Sequence, residues 1–194
     1  MNRPVAVVLA AGNSSRLGEG LSKQLLRVEG KTLIERTICC LLDAQLTVHV
    51  ILGADYAKHL ETIQHLPVTI HQNIVWHRGM GSSIKQALQI LQKESAILFT
   101  VCDQPKLSSS LIQEFVNKHL EDKSLVIAAQ YQDTVGVPVL VPSSFYQRFL
   151  SMSDHEGGKS ILRQISNISL VPFEDGQIDI DTLDEYQRYI NRLT

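Results

Sequence analysis

The feature that most constrains the fold is an apolar run near the amino-terminal end that stops at a loop rich in glycine and serine. Residues 4–11 are Pro-Val-Ala-Val-Val-Leu-Ala-Ala, and Gly-Asn-Ser-Ser follows directly. A short, continuous apolar run bounded by turn residues is typical of a strand that is buried on both faces of a parallel sheet. The run therefore predicts a central β-strand whose carboxyl end opens into a loop.

That loop has the composition of an anion-binding turn. Glycines at positions 12, 18 and 20 allow the backbone to approach a ligand closely, and free N–H groups in such a turn attract anions. Arg16 and Lys23 add two positive charges. Two interpretations stay open, a cradle for a polyphosphate and an ordinary solvated loop, because short glycine motifs often arise by chance.

Two familiar phosphate-binding motifs are excluded. The dinucleotide-binding pattern Gly-x-Gly-x-x-Gly would need a glycine in place of Ser14. Gly158-Lys159-Ser160 resembles the end of a P-loop, but the first glycine of that motif would have to replace Ser153.

Strand-like and helix-like patterns alternate along the chain. Apolar runs predict strands at 48–52, 68–70 and 96–101, and helical patterns lie between them at 33–42, 55–65 and 84–91. The second half predicts helices at 111–116, 143–150 and 157–165, strands at 125–129, 136–141 and 168–173, and a last helix through Tyr186 and Ile190. This order predicts an α/β fold with three layers, α/β/α, around a mostly parallel sheet. Pro138 argues against a central, fully paired position for the strand at 136–141.

Composition narrows the class of protein. A length of 194 residues suits one domain, and a net charge of −2 predicts no broad basic surface for nucleic acid. No apolar stretch approaches a membrane span of roughly 20 residues, and no signal-like core precedes the first strand, so we expect a cytoplasmic protein without a membrane partner. The three cysteines are expected to be reduced thiols, and the scattered histidines predict no zinc site.

A second turn rich in glycine and serine, at 79–83, opens the helix at 84–91. Ser82 or Ser83 is placed to cap this helix, since serine is common at that position. A helix amino terminus also attracts anions and polar base edges. A plain cap is the favoured interpretation, and ligand binding is the alternative.

Asp103 follows the strand at 96–101 almost directly. In open parallel sheets, ligands bind beyond the carboxyl ends of the strands. A carboxylate there, facing a phosphate-binding loop, is a natural ligand for Mg²⁺, which proteins hold with one or two carboxylates plus substrate phosphates. A capping or turn role before Pro105 is an equally weighted alternative.

Several motifs resemble those of one nucleotidyltransferase family. The MobA-like nucleotidyltransferases share a signature that is similar to Leu9-Ala10-Ala11-Gly12-x-Ser14-x-Arg16-x-Gly18 followed by Lys23-x-Leu25-Leu26. Within this family, four further motifs resemble those of the molybdenum-cofactor cytidylyltransferase branch. They are Trp76-x-x-Gly79-Met80-Gly81-Ser82-Ser83, Cys102-Asp103-Gln104-Pro105, Gly136-x-Pro138 and Asp179-Ile180-Asp181-Thr182. The chain departs from that branch at Leu17, where methionine is usual, and in its acceptor half at Val137 and Lys159.

The resemblance implies a Rossmann-like fold of the nucleotide-diphospho-sugar transferase type and a Mg²⁺-dependent enzyme. The implied reaction transfers CMP from CTP, or a nucleotidyl group from another NTP, to a phosphorylated acceptor and releases pyrophosphate. Molybdopterin or the molybdenum cofactor is the implied acceptor, and a molybdenum hydroxylase is the implied partner. Two alternatives stay open: transfer to a sugar or polyol phosphate, and a nucleotide-binding maturation factor with little catalysis.

The resemblance also implies the site residues. Arg16, Lys23 and Asp103 are expected to be catalytic. Mg²⁺ is expected on Asp103 together with Asp179 or Asp181, whose spacing on a strand would put both on one side, although Asp181 could instead cap the last helix. The nucleotide is expected to contact Leu9, Ala10, Ala11, Gly12, Ser14, Arg16, Lys23, Gly79, Ser82 and Asp103. Residues 1–194 are expected to form one nucleotidyltransferase domain, with the nucleotide bound by the amino-terminal half and the acceptor by the carboxyl-terminal half.

Overall fold

The computed structural model describes residues 3–193 and is built around one seven-stranded sheet with the order β5-β4-β1-β6-β8-β7-β9. The strands of the chain are β1 (Val5–Ala10), β2 (Arg27–Val28), β3 (Lys31–Thr32), β4 (Val48–Leu52), β5 (Thr69–Gln72), β6 (Ala96–Val101), β7 (Val126–Tyr131), β8 (Thr134–Pro142) and β9 (Ile168–Pro172). Strands β2 and β3 form a separate antiparallel ribbon. In the large sheet only β8 runs antiparallel to its neighbours. The predicted α/β fold with a mostly parallel sheet is confirmed.

Helices cover both faces of the sheet. They are α1 (Leu33–Asp43), α2 (Tyr56–Ile63), α3 (Met80–Ile90), α4 (Ser109–Glu121), α5 (Tyr146–Leu150), α6 (Lys159–Leu162) and α7 (Leu183–Asn191). Helices α1, α2 and α4 share one apolar cluster with the sheet, and α3, α5 and α6 share another, which gives the three layers. Helix α7 packs on the β2–β3 ribbon through Tyr189 and Val28. Among residues 3–193, no helix combines the length and apolar character that crossing a membrane requires.

Strand β1 is buried on both faces of the sheet. Ala6, Val8 and Ala10 belong to one apolar cluster, while Val5 and Val7 belong to the other, and each of the five is less than a tenth exposed. Successive strand residues point to opposite faces, so both faces of a central strand must be apolar. The carboxyl end of β1 therefore opens at the sheet edge where the loop begins.

Helix α3 begins earlier than the sequence predicts. Its first residue is Met80 and its N-cap is Gly79, with φ at 113°, so the prediction that Ser82 or Ser83 caps the helix is wrong. The Ser82 hydroxyl donates to the carbonyl of Gly79 at 2.7 Å, and the Asn73 amide donates to both serine hydroxyls at 2.9 Å. The two serines therefore anchor the first turn from within it.

Strand β8 is central, between β6 and β7, against the prediction from Pro138. Pro138 itself is not paired with either neighbour, so the expectation that the position is not fully paired is confirmed. The register of β7 against β8 passes from Ala128 opposite Val139 to Ala129 opposite Gly136. This irregularity leaves Val137 and Pro138 outside the pairing with β7. A proline is tolerated at such a point because no ladder hydrogen bond is required of it.

The segment before α7 is an extended loop without the strand that the spacing of Asp179 and Asp181 would need. Thr182 caps α7 in a capping box with Glu185, which excludes the alternative that Asp181 is the cap. Ser108 likewise caps α4, so Asp103 is not a helix cap. Helix α6 spans only 159–162 of the predicted 157–165. All three cysteines are free thiols, as expected.

Candidate active site

The loop after β1 is held in shape by Gln24. This side chain is 2 % exposed, and its Oε1 accepts hydrogen bonds from the hydroxyls of Ser14 at 2.9 Å and Ser22 at 2.7 Å. Its amide donates to the carbonyl of Gly12 at 3.0 Å. Ser14 has a positive φ of 53° and also accepts a hydrogen bond from the backbone of Lys23 at 3.0 Å. One buried amide thus fixes the path of the loop and the start of the Lys23 side chain.

Lys23 lies between two carboxylates. Its Nζ is 2.5 Å from Oδ2 of Asp103 and 2.7 Å from Oδ1 of Asp181, and all three side chains are about one-fifth exposed. Burial alone would lower the pKa of Lys23, but attraction to Asp103 and hydrogen bonds to both carboxylates raise the pKa above its ordinary value. Lys23 is therefore a permanent cation at the sheet edge.

Arg16 joins the same group from the mouth of the loop. Its Nη1 lies 2.5 Å from Oδ2 of Asp181, while 75 % of its side chain is exposed. Burial would raise the pKa of Asp181, but the hydrogen bond and charge of Lys23, with the charge of Arg16, lower it overall. The structure thus brings Arg16, Lys23, Asp103 and Asp181 together, while their catalytic roles stay predictions.

The backbone between the carboxylates explains their placement. The N–H of Ile180 donates to the carbonyl of Asp103 at 2.9 Å, and the Ile180 side chain is fully buried. Asp179 and Asp181 flank this buried residue, and Asp179 is exposed. Desolvation raises the pKa of Asp179, and the charges of Asp181 and Asp103 add to the rise. Negative charge is therefore concentrated at this point.

Two cavities meet at the carboxyl end of β1, and both are lined by Leu9 and Met80. The loop cavity, of about 490 Å³, lies between the loop after β1 and the start of α3. The sheet cavity, of about 560 Å³, is bounded by residues of β6, β7 and β8 and contains Asp103 and Asp179 on its wall. The apolar part of that wall includes Phe99, Val101, Val139 and Phe149.

Of the ten predicted nucleotide-binding residues, Asp103 lines the sheet cavity, Ser14, Arg16 and Lys23 line neither cavity, and four lie on the loop cavity. Leu9, Ala11, Gly12 and Gly79 line it. The side chain of Ala10 instead lies in the core, and the Ser82 hydroxyl is engaged with Asn73 and the backbone below the cavity. Sequence reasoning missed five residues that line the cavity, namely Asn13, Trp76, His77, Met80 and Ser83. The unique tryptophan, at the start of a motif already noted, was the signal that could have found Trp76.

The carboxylates suit a metal that is completed by substrate. Within residues 3–193 no group of three or more His, Cys, Asp or Glu side chains is arranged to hold a metal ion. Mg²⁺ does not need such a cage, because it is usually held by one or two carboxylates with phosphate oxygens and water. Asp103 and Asp181 both direct an oxygen at the same cation, the ammonium of Lys23. This pair of hard oxygen donors fits Mg²⁺ bound together with a polyphosphate.

Two characterised relatives resemble the chain. A 2-C-methyl-D-erythritol 4-phosphate cytidylyltransferase of Thermotoga neapolitana is 30% identical over 136 residues, which cover 68% of this chain and 60% of that protein. A nicotine blue oxidoreductase of Paenarthrobacter nicotinovorans is 28% identical over 194 residues, which cover 95% of each chain. The match to the cytidylyltransferase therefore spans less than two-thirds of that protein's length.

Solved structures show the same fold at low identity. The Rv0371c protein of Mycobacterium tuberculosis, in complex with manganese, superposes with a TM-score of 0.77 at 19% identity over 98% of this chain and 99% of that one. The molybdopterin-guanine dinucleotide biosynthesis protein A of Archaeoglobus fulgidus gives a TM-score of 0.72 at 15% identity over 97% of both chains. Both proteins thus share the fold of this chain along nearly its whole length.

The assignment of the family rests on a match along most of the chain. The model of the MobA-like NTP transferase domain covers residues 6–168, which include the loop after β1, the first turn of α3 and Asp103. The chain therefore belongs to the MobA-like NTP transferase family.

Proposed function

We propose that this nucleotidyltransferase moves CMP from CTP to a phosphorylated acceptor, molybdopterin or the molybdenum cofactor, and releases pyrophosphate. The observation that carries the proposal is Lys23, whose ammonium lies 2.5 Å from Asp103 and 2.7 Å from Asp181, with Asp103 on the wall of the sheet cavity. One cavity accommodates a nucleotide beside a basic loop, and the other accommodates an acceptor beside carboxylates. Residues 1–194 act as one domain, with the nucleotide on the amino-terminal side and the acceptor on the carboxyl-terminal side.

The chemistry needs no nucleophilic side chain. An oxygen of the acceptor phosphate attacks the α-phosphorus of CTP and forms a new P–O bond. The bond from the α-phosphorus to the bridging oxygen of the β-phosphate breaks, and its electron pair leaves with pyrophosphate. Since two polyanions must meet, the main tasks of the protein are to neutralise charge and to align the reacting groups.

The basic residues perform the first task. Lys23 stabilises the negative charge that develops on the α-phosphate, and a preorganised donor of this kind typically contributes about 10²–10³ in rate. Arg16 is largely exposed at the mouth of the loop, so it exchanges Asp181 for the β- and γ-phosphates when nucleotide binds. The free backbone of Gly12 and its neighbours adds hydrogen-bond donors.

Asp103, together with Asp181 or Asp179, would hold Mg²⁺, which would supply neutralising charge for the phosphate oxygens. The hydrogen bond from the N–H of Ile180 to the carbonyl of Asp103 holds the segment with Asp179 and Asp181 beside Asp103, which supports this role. The manganese complex of the structurally similar mycobacterial protein is consistent with a divalent cation in this fold.

Two observations favour CTP and a flat acceptor. The similar protein of Thermotoga neapolitana is a cytidylyltransferase by name. Ala11, which lines the loop cavity, is also the residue that the resemblance to the cytidylyltransferase branch implies at this position. Phe99, Val101, Val139 and Phe149 give one part of the sheet cavity wall an apolar face against which a planar ring system can pack, while polar side chains such as Asp103 and Lys159 line the rest. A cytoplasmic location and delivery to a molybdenum hydroxylase belong to the same proposal.

A pyrophosphate-release assay tests the proposal. CTP, GTP, ATP and UTP are each supplied with Mg²⁺ and with molybdenum cofactor, 2-C-methyl-D-erythritol 4-phosphate or no acceptor. We expect release only with CTP and molybdenum cofactor, and loss of release when EDTA removes the metal. Release with the polyol phosphate alone would replace the acceptor in this proposal, and tight CTP binding without any release would indicate a maturation factor.

A further inference from the structure

Tyr131, at the carboxyl end of β7, is held in one position on the wall of the sheet cavity. Its ring meets Phe173 edge-on, with centroids 6.3 Å apart and planes at 81°. Gly176 lies so close that an added Cβ would be 2.5 Å from Cδ1 of this ring. A β-carbon on Gly136 would collide with the phenolic oxygen itself. Two glycines on separate segments therefore leave room for this one side chain.

The hydroxyl of Tyr131 has no hydrogen-bond partner within the part of the chain that the structure describes. Among the hydrogen bonds of residues 3–193, none is made by its Oη, although the ring is partly buried. The hydroxyl is not one of the buried side-chain atoms without a partner in residues 3–193, so it is open to a ligand that enters the sheet cavity. The ring is fixed, so the hydroxyl is aimed before any ligand arrives.

The surroundings keep this hydroxyl protonated. Burial raises the pKa of Tyr131, and the nearby charges of Asp179 and Asp103 raise it further. The group is therefore a neutral hydrogen-bond donor at neutral pH. A neutral donor can sit beside two carboxylates and still bind a phosphate oxygen.

We propose that Tyr131 binds the acceptor by donating a hydrogen bond from its hydroxyl to the acceptor's phosphate monoester, with Gly136 and Gly176 fixing the position of the donor. The inference rests on the proposed function, because it takes the sheet cavity as the binding site of the acceptor. The hydroxyl holds the phosphate on the side of Asp103, where the new P–O bond forms.

Calorimetric binding of phenyl phosphate in the presence of Mg²⁺ tests the inference without requiring turnover. We expect Tyr131→Phe to weaken binding about ten- to a hundredfold, the usual effect of one hydrogen bond to a charged group. Tyr186→Phe is the matched control, because that hydroxyl donates to the carbonyl of Arg27 and is absent from the cavity wall. CTP affinity and the melting temperature should be unchanged by Tyr131→Phe.

A double-variant experiment separates binding from a general structural effect. Gly136→Ala alone should weaken phenyl phosphate binding, because the methyl group displaces the phenolic oxygen. In the Tyr131→Phe background that oxygen is absent, so Gly136→Ala should cause little further loss. Additive losses would overturn the assigned role of Gly136 and with it the fixed donor.

The remaining outcomes also decide the inference. Equal affinity of the wild type and Tyr131→Phe, or no binding of phenyl phosphate to the wild type, would overturn it. CMP transfer is measured on the same preparations. If phenyl phosphate binds as expected while no acceptor receives CMP, the proposed function fails and the phosphate-binding role of Tyr131 stands.

Discussion

Nζ of Lys23 lies 2.5 Å from Oδ2 of Asp103, although 80 residues separate them in the chain. The lysine follows the loop after β1, and the aspartate follows β6, which pairs with β1 in parallel. The carboxyl ends of adjacent parallel strands meet at one edge of a sheet, where ligands bind in this class of fold. Sheet topology therefore forces the two charges together before any ligand is present.

Replacement of Lys23 by glutamine should lower the rate of CMP transfer by about 10²–10³, because the charge that stabilises the transition state is lost. The assay is pyrophosphate release at saturating CTP. Lys31→Gln is the control, since Lys31 is exposed and its Nζ only approaches Cys39, at 3.6 Å. Wild-type rates in Lys23→Gln would contradict the mechanism.

Asp103→Asn should abolish Mg²⁺-dependent turnover while the fold persists, because an amide binds the metal poorly and no longer neutralises Lys23. Circular dichroism checks the fold and pyrophosphate release checks activity. Asp43→Asn changes an exposed aspartate at the end of α1 and should leave both intact. Full activity of Asp103→Asn would remove this residue from the metal site.

Gly53→Ala should close the loop cavity from below. A β-carbon there would lie 2.6 Å from both the carbonyl oxygen of Ala11 and Cβ of Trp76. Overpacking of this kind destabilises the fold by about 1–3 kcal/mol, and displacement of Trp76 into the loop cavity should weaken CTP binding. Trp76 is the sole tryptophan, so its fluorescence reports CTP binding directly. Unchanged CTP titrations would show that Trp76 does not form part of the nucleotide site.

The sequence patterns located Lys23 and Asp103 because both residues follow the carboxyl ends of strands that the patterns predict. The predicted strands at 48–52 and 96–101 coincide with β4 and β6, so Asp103 could be assigned to the edge where the loop with Lys23 also lies. Hydrophobic runs decide such strands locally, and parallel pairing then fixes which ends are neighbours. Local pattern and overall topology agree there.

The second half of the site depends on contacts that no local pattern encodes. Asp181 reaches Lys23 because the N–H of Ile180 bonds to the carbonyl of Asp103, a tertiary hydrogen bond between distant segments. The early start of α3 at Met80 reflects the backbone of residues 153–156, which lies against Gly79 and Gly81. Capping preference for serine was overridden by this packing.

Asp154→Asn should loosen the segment 153–158 that covers the start of α3. Asp154 is 2.8 Å from Nζ of Lys85 and 3.8 Å from Arg78, and Gly157 and Gly158 carry the segment to the wall of the sheet cavity. We expect the KM for the acceptor to rise severalfold with little change in CTP affinity, and hydrogen exchange to increase within 153–158. A rise in the KM for CTP alone would assign the ion pair to the nucleotide side instead.

His59 should make stability depend on pH. It is fully buried beside the loop, its Nε2 is 2.7 Å from the Ser22 hydroxyl, and Asp55 and Lys58 are its charged neighbours. Burial lowers its pKa more than Asp55 raises it, so the unfolded chain binds the proton more readily than the folded protein. Its contribution to stability is complete above the ordinary pKa of about 6.5 and is lost as pH falls towards the folded pKa, with a slope of up to about 1.4 kcal/mol per pH unit.

Urea unfolding of the wild type and His59→Gln between pH 5 and 8 measures this contribution. Glutamine keeps a polar group near Ser22 but does not titrate, so the free energy of unfolding of the variant should fall less steeply below pH 6.5. His49, His71 and His119 also have lowered pKa values and give both proteins a shared slope, so the difference between the curves isolates His59. Parallel curves would mean that His59 is protonated equally in the folded and unfolded states, and the burial argument would then be wrong for this residue.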